Sequence, residues 1–132
     1  MSGTNIAVNP IHLELKAAAT AEPTFTGSMD WYAAYGERHH SDGAEGRLVS
    51  TFTFSSSWNM WEKHPSGAEV VLCIAGGMTL HQERPDGSKA SVVLGPGEYA
   101  INEPGTWHTA DVASEATALF ITAGLGTQHR PR

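Results

Sequence analysis

From residue 46 onward, glycine and proline divide the chain into short apolar runs. The turn signals are Gly46, Pro65-Ser66-Gly67, Gly76-Gly77, Pro85-Asp86-Gly87, Gly95-Pro96-Gly97 and Pro104-Gly105. The runs between them are rich in Val, Leu, Ile, Phe and Thr, and most of these residue types favour strands. Short strands with turn signals about every 8–12 residues are typical of sandwiches and barrels. The pattern therefore predicts an antiparallel all-β domain.

About eight strands follow from this pattern. We predict them at 48–58, 59–64, 69–76, 78–83, 89–94, 98–102, 107–112 and 116–122. The run 69–76 is almost wholly apolar, as expected of a strand that is covered on both faces. The residues RPDGS between 78–83 and 89–94 are typical of a hairpin turn.

The two ends of the chain lack this strand pattern. Residues 1–45 are rich in Ala, Thr, Gly and polar residues, and we predict an N-terminal arm that packs over the barrel or over a neighbouring subunit. Their one helical periodicity is weak and lies in IHLELKAAA, residues 11–19. Residues 124–132 are predicted to form a loose C-terminal tail, which leaves residues 46–123 as the barrel.

Length and charge limit the classes of partner. The chain has 132 residues and a formal net charge of −6. This length suits one domain, and the charge disfavours nucleic acid, because phosphate binding needs a surplus of Lys and Arg. No run reaches the roughly 18 apolar residues of a membrane span, and the N-terminus lacks a signal-peptide pattern. Cys73, the one cysteine, is interpreted as a buried core thiol, and we expect a cytoplasmic protein.

Two carboxylates and two imidazoles stand at the edges of the predicted strands. Side chains alternate along a strand, so Glu62 and His64 project to the same face. Glu69 follows across the turn PSGA, and His108 lies far along the chain after PGTW. Because a closed sheet makes neighbours of strands that are distant in sequence, these four side chains are candidates for one metal site.

The segments around these residues resemble the two signature segments of the cupins, a family of small β-barrels. The first cupin segment usually reads His-x-His, three or four residues, Glu, six residues and Gly. This chain has Glu62-Lys63-His64, PSGA, Glu69, VVLCIA and Gly76. The second segment usually has Gly, then Pro, Gly and a nearby His, and this chain has Gly97, Pro104, Gly105 and His108. The resemblance covers roughly residues 47–123 and implies a jelly-roll barrel, also called a double-stranded β-helix.

The resemblance implies that Glu62, His64, Glu69 and His108 bind a divalent transition metal. Glu62 stands where the family usually has its first His. Mixed nitrogen and oxygen ligands suit Fe, Mn, Ni or Zn. Alternatively, Glu62 is a catalytic acid or base, because the other three residues already resemble the two-His, one-carboxylate face of non-haem iron sites. Some cupins have also lost their metal.

Three further residues are candidates for a substrate pocket. Trp58 and Trp107 lie near the site in sequence, and they form either pocket walls or core and rim packing. Arg47 either anchors a substrate carboxylate through its two-pronged side chain or is a surface residue. The remaining histidines are not expected to bind the metal: His81 is predicted to face outward on its strand, and His12, His39, His40 and His129 to be solvated in the arm or tail.

These observations predict a metal-binding cupin that acts on, or binds, a small organic molecule in the barrel mouth. The reaction stays open between an isomerase or cyclase type and a dioxygenase type. One alternative is a non-catalytic binding or sensing module, and another is an inert domain whose four polar residues form a hydrogen-bonded knot. Small cupins commonly dimerise, and we expect a homodimer in which residues 1–45 help to cover the partner.

Overall fold

The computed structural model describes the whole chain, residues 1–132. It contains eleven strands, one α-helix and two short 3₁₀ segments. The strands are β1 (Ile11–Leu13), β2 (Ala19–Ala21), β3 (Arg47–Phe54), β4 (Met60–Lys63), β5 (Glu69–Gly76), β6 (Met78–Glu83), β7 (Lys89–Leu94), β8 (Tyr99–Asn102), β9 (Trp107–Asp111), β10 (Ala116–Thr122) and β11 (Gln128–Pro131). Helix α1 spans Met29–Arg38, and the 3₁₀ segments are Leu15–Ala17 and His40–Glu45.

The strands form two antiparallel sheets. One sheet has six strands in the order β2-β1-β3-β10-β5-β8, and the other has five in the order β11-β4-β9-β6-β7. Both sheets contribute to one apolar core, in which Val71 and Cys73 of β5 join Leu80 of β6 and Ala110 of β9, all of them without exposed surface. The predicted all-β jelly roll is confirmed, and Cys73 is the buried thiol that its apolar run predicts.

The eight predicted strands all exist, in the predicted order. The largest difference is at the first of them, which ends at Phe54 rather than at residue 58. The chain leaves the sheet there because Ser57 and Trp58 bond elsewhere. The Ser57 hydroxyl accepts the backbone N–H of Val112, and the Trp58 N–H donates to the Ala110 carbonyl.

The N-terminal arm packs on the chain's own barrel. Strand β1 pairs with β3, with Leu13 opposite Arg47, so β1 and β2 extend the six-stranded sheet. The weak helical prediction for residues 11–19 is therefore wrong. The helix lies further on, where the Ser28 side chain caps α1 by accepting the Trp31 N–H at 3.2 Å. The structure contains no helix with the length and hydrophobicity that crossing a membrane requires.

A buried polar cluster fastens the arm. His12 is 1% exposed, with Nδ1 2.6 Å from the Tyr35 hydroxyl and Nε2 2.6 Å from Asp42 Oδ2. The prediction that His12 is solvated is wrong, because β1 turns its side chain inward. Gly46 is required beside it, since a Cβ there would lie 2.9 Å from the His12 ring. A second imidazole, that of His39, donates to Glu22 Oε1 at 2.9 Å.

The C-terminal residues form a strand instead of the predicted loose tail. Strand β11 pairs antiparallel with β4, which places Arg130 opposite Trp61. The Arg130 guanidinium lies 5.0 Å from the Trp61 ring centre and bonds Glu83 at 2.7 Å. These side-chain contacts replace the apolar alternation by which strands are usually recognised.

Candidate metal centre

A row of polar side chains crosses the five-stranded sheet. His129 of β11 is paired with Glu62 of β4, Glu62 with His108 of β9, and His108 with Gln82 of β6. Residues that are directly opposite in an antiparallel pair point to the same face. His108 has no exposed surface and Gln82 has 5%, so this face is the interior of the barrel.

The opposite sheet supplies the second carboxylate. Glu69 begins β5 and is 3% exposed. Its Oε1 lies 3.0 Å from His108 Nε2, and its Oε2 lies 3.2 Å from His64 Nε2. His64 follows β4 directly, and its carbonyl accepts the Gly105 N–H, which ties it to the loop that precedes β9 and His108. The two signature segments therefore meet inside the barrel.

Glu62 completes the group of four predicted ligands. Its Oε2 lies 3.8 Å from His108 Nε2 and 4.0 Å from His64 Nε2. One ligand atom each from Glu62, His64 and His108 fall within 4.8 Å of one another. The Glu62 side chain is 32% exposed, whereas those of the other three residues are at most 6% exposed. An incoming molecule thus meets Glu62 first.

Hydrogen bonds to the far side of each ring fix the tautomers of the two imidazoles. His64 Nδ1 lies 2.8 Å from the Thr127 hydroxyl, which gives its own proton to the Gly124 carbonyl. His64 Nδ1 must then be the donor. His108 Nδ1 lies 3.2 Å from the Thr106 carbonyl, which can only accept. In the neutral rings the proton is therefore on Nδ1, and each Nε2 has a free lone pair.

These two Nε2 atoms test whether the site suits a metal. Both are buried, and neither has a hydrogen-bond partner. They lie 3.2 Å and 3.0 Å from the Glu69 oxygens, but an Nε2 without a proton and an ionised carboxylate are both acceptors and cannot bond each other. Buried polar atoms without partners are costly unless something else satisfies them. Two bare imidazole nitrogens beside a buried carboxylate fit a transition-metal ion.

The Glu69 carboxylate is held from behind. The Thr122 hydroxyl donates to Oε2 at 2.6 Å, and the Asn102 amide donates to Oε1 at 3.2 Å. Gln82 in turn donates to the Asn102 side-chain oxygen at 2.8 Å, which connects the two sheets. Sequence analysis missed these three residues, because inward-facing Thr, Asn and Gln on strands carry no motif. Their bonds fix the direction in which Glu69 points.

Burial and charge act in opposite directions on the site's pKa values. Burial alone would raise the pKa of Glu69, but the imidazoles of His108 and His64 bring it well below its usual range. Burial alone would lower the pKa of His108, and Glu69 followed by Glu62 raises it instead. The cluster therefore holds the Glu69 carboxylate ionised, as a bound cation requires.

Tyr32 on α1 is a further neighbour that sequence analysis missed. Burial, followed by the carboxylates of Glu62 and Glu69, raises the pKa of Tyr32 to about 12. The phenol is accordingly neutral at ordinary pH and can donate a hydrogen bond.

Of the predicted pocket residues, only Trp58 borders the cluster. Its ring lies 6.1 Å from the His108 ring and packs against Phe54 at 5.3 Å and Phe120 at 6.1 Å. The indole Nε1 is buried without a hydrogen-bond partner. Trp58 therefore offers an aromatic wall and an unused donor.

Trp107 and Arg47 face away from the barrel interior. Trp107 precedes the inward His108 and so faces outward, where its ring stands 4.7 Å from Lys63 Nζ and 4.5 Å from the Arg130 guanidinium. Arg47 is exposed at the start of β3, next to the inward-facing Leu48. It makes no hydrogen bond or ion pair with the four predicted ligands.

The other histidines separate into three groups. His81 faces outward as predicted and lies 2.7 Å from both the Ser91 hydroxyl and Asp111 Oδ2. His40 is exposed. His129, predicted to be solvated, instead lies 3.0 Å from Glu62 Oε1, so it contacts the candidate site.

A second group of possible ligands occurs in the arm, and its geometry does not suit a metal. Ligand atoms of His12, His39 and Asp42 lie within 4.8 Å of one another. The two imidazoles are stacked, with ring centres 3.6 Å apart and planes tilted by 21°. In-plane lone pairs of stacked rings do not converge on one ion, and both His12 nitrogens already have partners. This group fastens the arm.

Comparisons with known proteins support the fold. No protein-family model and no curated protein matches the chain. A recombinant oxalate oxidase in complex with glycolate has a TM-score of 0.55 at 15% identity, over 62% of this chain and 45% of that one. A hydroquinone 1,2-dioxygenase from Sphingomonas sp. TTNP3 with 4-hydroxybenzoate bound has a TM-score of 0.50 at 14% identity, over 58% of each chain.

A third similar structure is peruvianin-I, named as a cysteine peptidase from Thevetia peruviana latex, with a TM-score of 0.52 at 20% identity over 65% of this chain and 55% of that one. The match spans about half the length of these three structures. At such identities the likeness establishes the fold alone, and the chain has the cupin fold that its two signature segments predict. The three names describe different activities, so the fold does not select a reaction.

Proposed function

We propose that His64, His108 and Glu69 bind a divalent transition metal, and that a small organic molecule binds beside it at the barrel mouth. One observation carries the proposal. Two buried Nε2 atoms, each with its lone pair free, flank one buried carboxylate. Fe, Mn, Ni or Zn suits this mixture of nitrogen and oxygen ligands, as each binds imidazole and carboxylate together.

Glu62 is the residue to which we assign proton transfer. Its Oε2 is 3.8 Å or more from the imidazole nitrogens, whereas the Glu69 oxygens are within 3.2 Å. Glu62 is also the one member of the group that solvent reaches substantially. A carboxylate on the open side can take a proton from a bound molecule and return it at another atom. This favours an isomerase or cyclase type of reaction over a dioxygenase type.

We assign the binding and orientation of the molecule to Trp58. Trp58 presents its ring next to His108 and an indole N–H without a partner, which suits a planar molecule that carries an oxygen acceptor. When bound, the ion polarises a carbonyl or hydroxyl oxygen as a Lewis acid.

Metal content tests the proposal directly. The protein is purified without a histidine tag, and its metals are measured by inductively coupled plasma mass spectrometry. We expect about one equivalent in the wild type, and loss of it in His64→Ala and His108→Ala with the fold kept. His40→Ala removes an exposed histidine and should retain the metal. Full metal content in both site variants would refute the assignment.

A wild type that holds less than about a tenth of an equivalent, and takes up none on addition, would instead favour the hydrogen-bonded knot. A metal-loaded protein that turns over no substrate in a screen would favour a binding or sensing module. A reaction that stops when iron is replaced by zinc would favour the dioxygenase type.

We also propose a homodimer in the cytoplasm. The outer face of the six-stranded sheet carries exposed apolar side chains, among them Ile74, Tyr99 and Ile101 at 45%, 62% and 46% exposure. A contiguous apolar face of this kind commonly marks an interface. Light scattering at working concentration should give twice the chain mass, and the monomer mass would contradict the dimer.

A further inference from the structure

The C-terminal segment, residues 124–132, contacts two of the four residues of the candidate metal centre, His64 and Glu62. We infer that it is part of the metal centre, and that His129 positions Glu62 so that one carboxylate oxygen alone faces the imidazoles. The inference rests on the proposed metal site. His129 lies outside both signature segments, in a region that the sequence predicts to be a loose tail.

The pairing of β11 with β4 brings His129 to Glu62. His129 and Glu62 are directly opposite, and His129 Nε2 lies 3.0 Å from Glu62 Oε1. An ionised carboxylate can only accept, so the imidazole N–H is the donor. Such a charge-assisted bond fixes a side chain more firmly than a bond between neutral groups.

Because of this bond, the two Glu62 oxygens have different partners. Oε1 is occupied by His129, and Oε2 is the atom that faces His108 and His64, at 3.8 and 4.0 Å. A cation between these nitrogens can then meet Glu62 through one oxygen. Without His129, the carboxylate is free to rotate and would have to be ordered when the cation binds, which weakens binding.

Contacts on both sides of His129 hold the segment against the barrel. Arg130 bonds Glu83 at 2.7 Å and stacks on Trp107 at 4.5 Å. Arg132 bonds Asp111 at 2.6 Å. These contacts hold β11 on the C-terminal side of His129, and the pairing of Gln128 with Lys63 holds it on the other side.

A second contact from the same segment reaches the other end of the cluster. The Thr127 hydroxyl accepts the His64 Nδ1 proton at 2.8 Å and is itself fixed by the Gly124 carbonyl. One short piece of chain therefore orients one imidazole and one carboxylate of the same site. Outer partners of this kind typically change metal affinity by about 10–100-fold when removed.

Cobalt(II) titration followed by visible absorption tests the inference. Cobalt(II) reports both affinity and coordination, because the intensity of its absorption bands depends on the number and arrangement of ligands. We expect His129→Ala to bind cobalt(II) about 10–100-fold more weakly than the wild type and with an altered absorption spectrum. His129→Gln keeps an N–H donor near Glu62 and should restore both properties in large part. His40→Ala is the matched control and should behave as the wild type.

The outcomes separate this inference from the proposed function. Wild-type binding together with an unchanged affinity and spectrum in His129→Ala would overturn the role of His129 and leave the metal site standing. A wild type that takes up no cobalt(II), zinc(II), manganese(II), nickel(II) or iron(II) would overturn both. Thermal unfolding of each variant without metal shows whether the fold is kept. If His129→Ala fails to fold, His129→Leu, which also lacks a donor, replaces it: weaker binding and an altered spectrum that His129→Gln does not share support the positioning role, and wild-type affinity and spectrum overturn it.

Discussion

Replacing Gly76 by Ala should destabilise the protein severely, for two separable reasons. Gly76 ends β5 with φ +72°, a backbone conformation that L side chains rarely adopt. A Cβ at this position would also lie 2.0 Å from the carbonyl oxygen of Glu115, where the chain enters β10. This oxygen belongs to the backbone, so relief of the clash requires the two strands to move apart. Gly76 is also the last residue of the first signature segment.

Two other glycines allow each contribution to be measured alone. Gly87 has φ +87°, and a Cβ added there would have no neighbour within 4 Å, so Gly87→Ala reports the backbone strain by itself, about 1–2 kcal/mol. Gly77 lies next to Gly76, has no positive φ and would place its Cβ 3.7 Å from the nearest atom, so Gly77→Ala should change stability little. Overpacking adds about 1–3 kcal/mol, which gives roughly 2–5 kcal/mol for Gly76→Ala.

Urea unfolding followed by tryptophan fluorescence measures the three free energies of unfolding. The expected order of destabilisation is Gly76→Ala, then Gly87→Ala, then Gly77→Ala. If Gly76→Ala costs no more than Gly87→Ala, the close approach of β5 to Glu115 has no energetic consequence and the reasoning fails. If Gly87→Ala is neutral, the strain contribution is wrong.

Gly46→Ala should destabilise the protein by about 1–3 kcal/mol in urea unfolding and expose the arm to proteolysis, because its Cβ would press on His12 at 2.9 Å. Gly36→Ala is its control: it lies in α1 with open space around it, so it should stabilise by about 0.5–1 kcal/mol, and equal effects would contradict the account. Thr122→Val removes the hydroxyl that holds Glu69 and should weaken zinc(II) binding by about tenfold in calorimetry, with unchanged affinity counting against that hydroxyl. The metal-free protein should lose stability as the pH falls below about 4.3, the ordinary pKa of a glutamate, because the pKa of Glu69 is lowered in the folded state; an identical acid profile in Glu69→Gln would exclude this cause.

The order of the strands could be predicted because the glycines between them are required by the backbone conformation of the turns. Gly76, Gly87, Gly97 and Gly105 all adopt positive φ, so the glycines that mark turns in the sequence are needed there by the backbone. Helix α1 could not be predicted in the same way. Trp31 is its one buried residue, so it shows no apolar period for a pattern to reveal.

The four candidate ligands could be predicted to lie together because alternation fixes faces within a strand. The same rule, applied to Trp107 and Arg47, would have placed both outward, since each adjoins an inward residue. Proximity in sequence is therefore a weaker guide to a pocket than the parity of a residue along its strand. Trp58 precedes β4 in a loop, where parity makes no prediction, and the structure alone shows its contact with His108.

The contact of β11 with the metal centre depends on the register in which β11 pairs with β4. The sequence of β11 contains no apolar pattern that would predict this register. The residues QHRP contain no alternation of apolar and polar side chains. Their alignment on β4 is instead selected by Arg130, whose bond to Glu83 and stacking on Trp61 and Trp107 require it to face outward. If Arg130 faces outward, its neighbour His129 must face inward, toward Glu62. A slip of one residue would reverse both, turning the guanidinium to the inner face and the imidazole away from Glu62. The contacts of Arg130 with Trp61 and Trp107 thus fix the contact of His129 with Glu62. Substitutions that remove the Arg130 contacts should therefore weaken metal binding by displacing His129.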